Sequence, residues 1–335
     1  MLQGDVVKDY LEKYSGMSTQ TLARLIYKEN NSLFNSIETA RTRIRYYRGA
    51  LGNKHRETIS DASKHNNEIK NKRTTMPTLP EGITYYQDWK CYNIPSPALA
   101  LVLADTHIPY HSKESIEIAV EKGKSFNVNT IVLNGDIVDF FSVSHWLKDP
   151  RQRNFKRELE YTKRFFEYLR QAFKDANIIL KVGNHEERYE QYMWIKAEEL
   201  LDIDEFQLEK ILHLRDYGIK MVSDRRPMKM GYLYIIHGHE YKPGITRAVN
   251  PARGLFLKSK KSSLCSHFHQ TSHHASKDIS DDIVACWSTG CLCDMHPRYQ
   301  PLNEWNHGFT IVETDNRGNY QVNNYKIINN EIYHG

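Results

Sequence analysis

A chain of 335 residues is long enough to bury a large core without disulfide staples and to carry one large domain plus a smaller appendage. Charged residues make up 26% of it and no apolar run approaches the ~20 residues of a membrane span, which excludes a helical membrane protein. The formal net charge is +5, with 15 Lys plus Arg against 10 Asp plus Glu in residues 1–95 and 31 of each in residues 96–335, so the basic excess is N-terminal and points to an anionic partner there.

The first residues, MLQGDVVKDYLEKY, carry charges where a secretory signal needs its apolar stretch, so the chain is expected in the cytoplasm. Residues 5–14 read as a helix. A second is expected from Ser18 as N-cap through TLARLIYKEN, and a third from near Ser36. In the third, Ile37, Ala40, Ile44 and Tyr47 recur on one face, while Arg41, Arg45 and Arg48 line the neighbouring face. Residues 1–50 are thus a small all-α, helix-turn-helix-like appendage whose three arginines are candidates for lying along DNA or RNA. The competing reading is a helical cap or oligomerisation element with its arginines in water. Residues 51–76 are polar and almost free of large apolar groups, a linker. Residues 77–335 form the main domain.

That domain opens with the aromatic segment ITYYQDWKCYNI, read as an edge strand or strap whose tyrosines and tryptophan pack on the core. PSPALALVLAD follows as an apolar strand without alternation, as expected when both faces are buried. A helix from Ser112, the strand TIVLNGD, a long amphipathic helix over residues 153–173, the strand NIILKV and a helix after GNHE predict an α/β domain with right-handed crossovers. Beyond Gly218 the pattern turns strand-rich, through MGYLYIIHG, SSLCSHF, DIVACWSTG, GFTIVETD and NYQVNNYKII. The TDNRGNY turn makes the last two a hairpin.

Five apolar runs end in side chains that bind metals: Asp105 and His107, Asp136, Asn184 and His185, His237, and His267 and His269. In an α/β sheet, ligand-binding groups gather beyond the C-terminal strand ends, so five such clusters point to one site. The five cysteines lack zinc-knuckle spacing and read as reduced thiols, and Cys291 and Cys293 are set aside as metal ligands.

ADTH, GDIVD, GNHE, HGH and SHFH, in this order, resemble the motifs of the calcineurin-like metallophosphoesterases over roughly residues 97–270. The resemblance implies a four-layer α/β fold, two mixed sheets packed together and flanked by helices. It also implies two divalent metal ions, with Asp105, His107 and His269 on the first, Asn184, His237 and His267 on the second, and Asp136 bridging. The nitrogen and oxygen donors suit Mn foremost, or Fe or Zn. Two such cations lower the pKa of a shared water and polarise a phosphoryl oxygen, so the substrate is a phosphoester. His185 matches the family's catalytic histidine, which protonates or stabilises the leaving oxygen. Asp139 stands where it would orient His185 or serve as a simple cap. Arg188, one turn on, is a candidate contact to substrate phosphate or a surface ion pair. His111, His145 and His239 lie in strand-end loops, and His111 and His239 are further substrate candidates.

Two departures from the family pattern matter. Ser266 and Phe268 replace the usual Gly and Thr in the last motif, and Phe140 stands where the Ser/Thr phosphatase branch has an arginine, which argues against a phosphoprotein substrate. TGCLCDMHPRY and WNHGF resemble the tails of phage- and prophage-encoded members, which places the protein in the cytoplasm of a bacterial host. The expected activity is a nuclease or phosphodiesterase. Alternatives are a phosphomonoesterase or a non-catalytic binding protein on the same fold.

Overall fold

The computed structural model describes residues 2–49, 78–85, 89–146, 149–242, 244–245 and 249–335. The chain divides into two units, residues 1–85 and 86–335. The linker expected over residues 51–76 lies outside the described residues.

Among its described residues the first unit contains three helices, α1 (Gln3–Lys13), α2 (Thr19–Glu29) and α3 (Ile37–Tyr47). The Ser18 and Ser36 hydroxyls accept the Thr21 and Thr39 backbone N–H groups at 3.2 Å, caps worth ~1 kcal/mol each. Val7, Leu22, Ile26, Phe34, Ala40 and Ile44 form the unit's buried core. The face expected on α3 holds at Ala40 and Ile44, with Tyr47 packed at its margin. Ile37 does not hold. It stands in the first turn, 40% exposed, while Phe34, just ahead of the cap, is fully buried.

The second unit is built on two mixed sheets. The larger comprises β2 (Ala98–Leu103), β3 (Thr130–Asn134), β4 (Asn177–Lys181), β5 (Ile219–Val222), β11 (His307–Thr314), β12 (Tyr320–Ile328) and β13 (Glu331–His334), in the order β13-β12-β11-β2-β3-β4-β5. β2 to β5 are mutually parallel, and β11 and β12 form the expected hairpin. The smaller sheet comprises β1 (Tyr92–Ile94), β6 (Met228–Met230), β7 (Leu233–Ile235), β8 (Ser263–Cys265), β9 (Ser272–Lys277) and β10 (Ile283–Ser288), in the order β1-β6-β7-β8-β10-β9.

β2 explains the layering. Ala100 and Val102 face the smaller sheet, where they meet Val132, Ile179, Met228, Met230, Ile235 and Leu264. Leu101 and Leu103 belong to the opposite core, with Ile116 and Val120 of α4 (Lys113–Ser125), Phe166 and Leu169 of α5 (Phe155–Ala172) and Met193 of α6 (Glu186–Lys196). Burial on both faces is why this strand reads as an unbroken apolar run. A turn of helix, α7 (Leu208–Ile211), adds to that layer. On the far side of the smaller sheet, α8 (Pro251–Ser259) packs Ala252 and Leu255 against Cys265 and Cys286. The result is helix, sheet, sheet, helix.

Some elements differ from expectation. Among the described residues of the aromatic segment, only Tyr92–Ile94 forms a strand, on the edge of the smaller sheet, and Tyr85 is 88% exposed. β9 and α8 were not anticipated. The sequence of β9, SHHASK, has no apolar face, and antiparallel pairing with β10 alone defines it.

Candidate metal centre

The loops after β2, β3, β4, β7 and β8 carry all seven expected ligands. β2, β3 and β4 are parallel to one another, as are β7 and β8, so within each sheet these strand ends point the same way. Asp105, His107, Asp136, His267 and His269 all adopt left-handed backbone, with φ between 48° and 72°. Non-glycine residues there cost on the order of 1 kcal/mol each and persist only where the surroundings fix them, which is typical of functional sites.

The donors converge in two groups that share a member. His107 Nε2 lies 3.2 Å from His269 Nε2, which lies 3.4 Å from Asp105 Oδ1. His237 Nε2 lies 3.1 Å from Asn184 Oδ1 and 3.2 Å from Asp136 Oδ2. Donor atoms of Asp105, His107 and Asp136, and separately of Asp136, His237 and His267, all fall within 4.8 Å of one another. The carboxylate of Asp136 is thus common to both.

Neighbouring groups fix which atom each ligand presents. His237 Nδ1 sits 2.7 Å from the Asn134 carbonyl, so this nitrogen donates and Nε2 is left for the site. His107 Nδ1 lies 3.1 Å from Asp139 Oδ1, with the same consequence. Asp105 Oδ2 accepts the His267 N–H at 2.9 Å, whereas its buried Oδ1 has no hydrogen-bond partner and points among the histidines. An orphaned buried carboxylate oxygen facing imidazoles is the donor chemistry a divalent cation satisfies. The residues present therefore fit such an ion.

The charges of these buried groups depend strongly on one another. Burial would raise the Asp136 carboxyl, but the His185, His237 and His107 imidazoles outweigh it and hold it well below the ordinary value. Burial opposes the charging of His237, yet the carboxylates of Asp136, Asp105 and Glu240 prevail and raise it to about 10. His267 goes the other way, pushed down to about 3 by burial and by the charge of His237.

Glu186 builds the loop that carries Asp136. Its carboxylate accepts the backbone N–H groups of Asp136, Ile137, Val138 and Gly183 at 2.8–3.0 Å. The β4 loop approaches closely enough that a Cβ on Gly183 would stand 2.4 Å from Asp136 Oδ1. Glu186 had no assigned role in the sequence, although its place directly after Asn184 and His185 was a signal.

His185 donates its backbone N–H to Asp136 Oδ1 at 2.8 Å, and its Nδ1 lies 3.1 Å from Asp139 Oδ1. Asp139 thus serves two imidazoles, His185 and His107, and is more than a cap. Arg188 is half-buried at the site rather than lying in a surface pair. Its Nη2 is 2.7 Å from His185 Nε2 and its Nη1 donates to the Asp139 carbonyl at 2.9 Å. Phe140 is fully buried and stacks on Tyr189, filling core where the phosphatase branch has its arginine. Ser266 donates its hydroxyl to the Asn134 carbonyl at 2.9 Å and accepts the Asn134 amide at 2.7 Å, tying the two sheets.

His239 reaches the mouth of the site. Its Nε2 is 3.0 Å from Glu187 Oε1, and it lines an open cleft of about 870 Å³ with Tyr241, Lys242, His267 and Phe268. His111 pairs its backbone with Cys293 and buries its Nδ1 without a partner. His145 is exposed beside Trp146. In the first unit, Arg48 donates to Thr19 Oγ1 and the Met17 carbonyl, Arg41 pairs with Glu38, and Arg45 is exposed.

Cys293, set aside from sequence, stands with His107 and His269, their ligand atoms within 4.8 Å of one another. It follows β10, making a sixth strand-terminal cluster, and that position was the available signal. All five cysteines are free. Among the described residues, no helix is long and apolar enough to cross a membrane.

Comparison with known proteins agrees with this geometry. The family model for calcineurin-like phosphoesterases matches residues 99–290. The chain is 24% identical over 227 residues to the Gene 54 protein of Mycobacterium phage L5, covering 64% of this chain and 88% of that protein. It is 24% identical over 176 residues to the Gene 54 protein of Mycobacterium phage D29, covering 51% and 68%. Among solved structures it is similar to Vacuolar Protein Sorting 29 from Cryptosporidium parvum, at 13% identity and a TM-score of 0.39, covering 71% of this chain and 95% of that one. The matched span is more than half of the chain and holds every loop that contributes to the two donor groups, and on that ground the chain belongs to the calcineurin-like phosphoesterases.

Proposed function

We propose that the protein is a two-metal phosphodiesterase acting on nucleic acid or nucleotides, with the N-terminal helices as a nucleic-acid-binding accessory. The observation that carries the chemistry is the carboxylate of Asp136, common to two donor groups drawn from both sheets. Asp105, His107 and His269 would hold one cation, Asn184, His237 and His267 the other, and Asp136 both. Bound there, the cations would activate water and neutralise phosphoryl charge.

The chain's own residues do the rest. Asp139 fixes the tautomers of His107 and His185. With the ring proton on Nδ1, His185 Nε2 takes up a proton from solvent once a phosphate has drawn Arg188 off it, and hands that proton to the leaving oxygen. Arg188 rests on that nitrogen, and an incoming phosphate offers its guanidinium a charged partner, freeing Nε2. The cleft beside His267, with Lys242, Tyr241 and Phe268, supports a substrate larger than a bare phosphate, since its volume suits a nucleotide-sized group. The basic excess of residues 1–95 supports an anionic polymer.

The test is a parallel assay with Mn²⁺ on p-nitrophenyl phosphate, its bis ester, and single- and double-stranded DNA. Diester and DNA turnover should exceed monoester turnover and vanish in Asp136→Asn, and Arg45→Glu should slow only DNA. Preference for the monoester, with no effect of Arg45→Glu, would move the reading to a small-molecule phosphatase.

A further inference from the structure

The tail after β10 holds a donor that neither the seven-ligand set nor the matched family span includes. Cys293 is 3% exposed, with its sulfur beside His107 and His269 at the corner where Asp105 Oδ1 is buried without a partner. The segment is fixed there by several bonds. Leu292 N–H donates to the Asp105 carbonyl at 3.1 Å, Cys293 pairs with His111, and Asp294 N–H donates to the Tyr110 carbonyl at 2.7 Å. The Cys293 carbonyl accepts His307 Nε2–H at 2.8 Å, and His307 Nδ1 in turn meets Ser115 of α4 at 2.9 Å. On the other side, Trp305 packs edge-on against the His269 ring, 4.1 Å between centroids.

We propose that Cys293 supplies a thiolate to the cation held by Asp105, His107 and His269, making that position selective for a sulfur-tolerant ion such as Zn²⁺ or Fe²⁺ over Mn²⁺. The proposal rests on the two-metal reading above. Thiolate donors favour the softer cations, whereas carboxylate and water suit Mn²⁺ equally well, so one sulfur makes the two positions unequal. The thiol proton leaves to solvent as the ion binds.

Cobalt distinguishes the possibilities in the full-length protein, reduced and free of oxygen. Titration with Co²⁺ should give visible ligand-field bands together with a near-ultraviolet sulfur-to-cobalt absorption. Cys293→Ser should keep the visible bands and lose the near-ultraviolet one, and Cys291→Ser should keep both. In competition with Mn²⁺, Cys293→Ser should lose roughly 10–100-fold of its preference for Zn²⁺ at one position, the scale seen when groups supporting metal ligands are removed. Visible bands without sulfur absorption in the unmodified protein, or sulfur absorption that survives Cys293→Ser, would overturn the thiolate while leaving the metal centre standing. Absence of all cobalt bands would overturn both.

Discussion

Arg188 Nη2 and His185 Nε2 face each other at 2.7 Å in the interior of the site. A guanidinium has only donors, so this imidazole nitrogen accepts, and its proton resides on Nδ1 beside Asp139. Arg188→Ala should lower kcat/KM for a diester by roughly 10²-fold, the scale of one lost transition-state donor. Arg188→Lys should recover little, because an ammonium cannot span the carbonyl of Asp139 and a phosphate together. Steady-state kinetics of both variants checks this, and a change in KM alone would reduce Arg188 to a binding contact.

Asp139 accepts from two imidazoles, one on each side of the expected chemistry. Burial would raise its carboxyl, but His185 and His107 hold it well below the usual carboxylate range. Both imidazoles meet the same oxygen, Oδ1, so Asp139→Ala removes the partner that aims His107 Nε2. Metal affinity should fall by ~10–100-fold, measured by calorimetric titration with Mn²⁺, and turnover should fall even at saturating metal. An unchanged metal affinity would sink the orienting role.

Lys181 and Glu240 form a buried pair at 2.9 Å between the end of β4 and the loop after β7. Glu240 also accepts the backbone N–H groups of His237 and Gly238. Burial would raise this carboxyl, but the Lys181 ammonium and the His239 and His237 imidazoles lower it from the ordinary 4.5 to about 2. A depressed carboxylate stabilises the fold fully above pH ~4.5, and that contribution fades as pH falls through ~2. The shift corresponds to on the order of 3 kcal/mol. Urea unfolding at pH 7, 4 and 2.5 should show this loss, and Glu240→Gln should flatten it. At pH 7 the same variant should be ~3–5 kcal/mol less stable, because Lys181 is left charged and unpaired.

Much of the site was legible because parallel strands deliver their ends to one side, and each apolar run stopped at a ligand. Asp105, Asp136 and His237 could be read in this way from a single sequence. Glu186 could not, since its partners are four backbone N–H groups brought together only by the fold. Cys293 escaped for a related reason: its spacing to Cys291 resembles no chelating motif, and its companions His107 and His269 are remote in sequence. Phe140 stacks on Tyr189 in the core, and Arg188 reaching the Asp139 carbonyl from α6 required the helix geometry. In the fold, β9 was invisible because its pairing with β10 is a backbone matter, and Ile37 misled because periodicity does not tell the end of a packed face from its middle.

Asp136 and Asn184 leave the larger sheet, whereas His237, His267 and His269 leave the smaller one. A cation bound among them is therefore a rivet through the seam between the sheets. Its grip opposes any unfolding that begins by parting those layers, so thermal resistance should climb with metal concentration by RT ln(1 + [metal]/Kd). A chelator added to the folded protein would then remove the activating ions and this tie across the seam in one step, and the shared apolar core would be left to hold the sheets together.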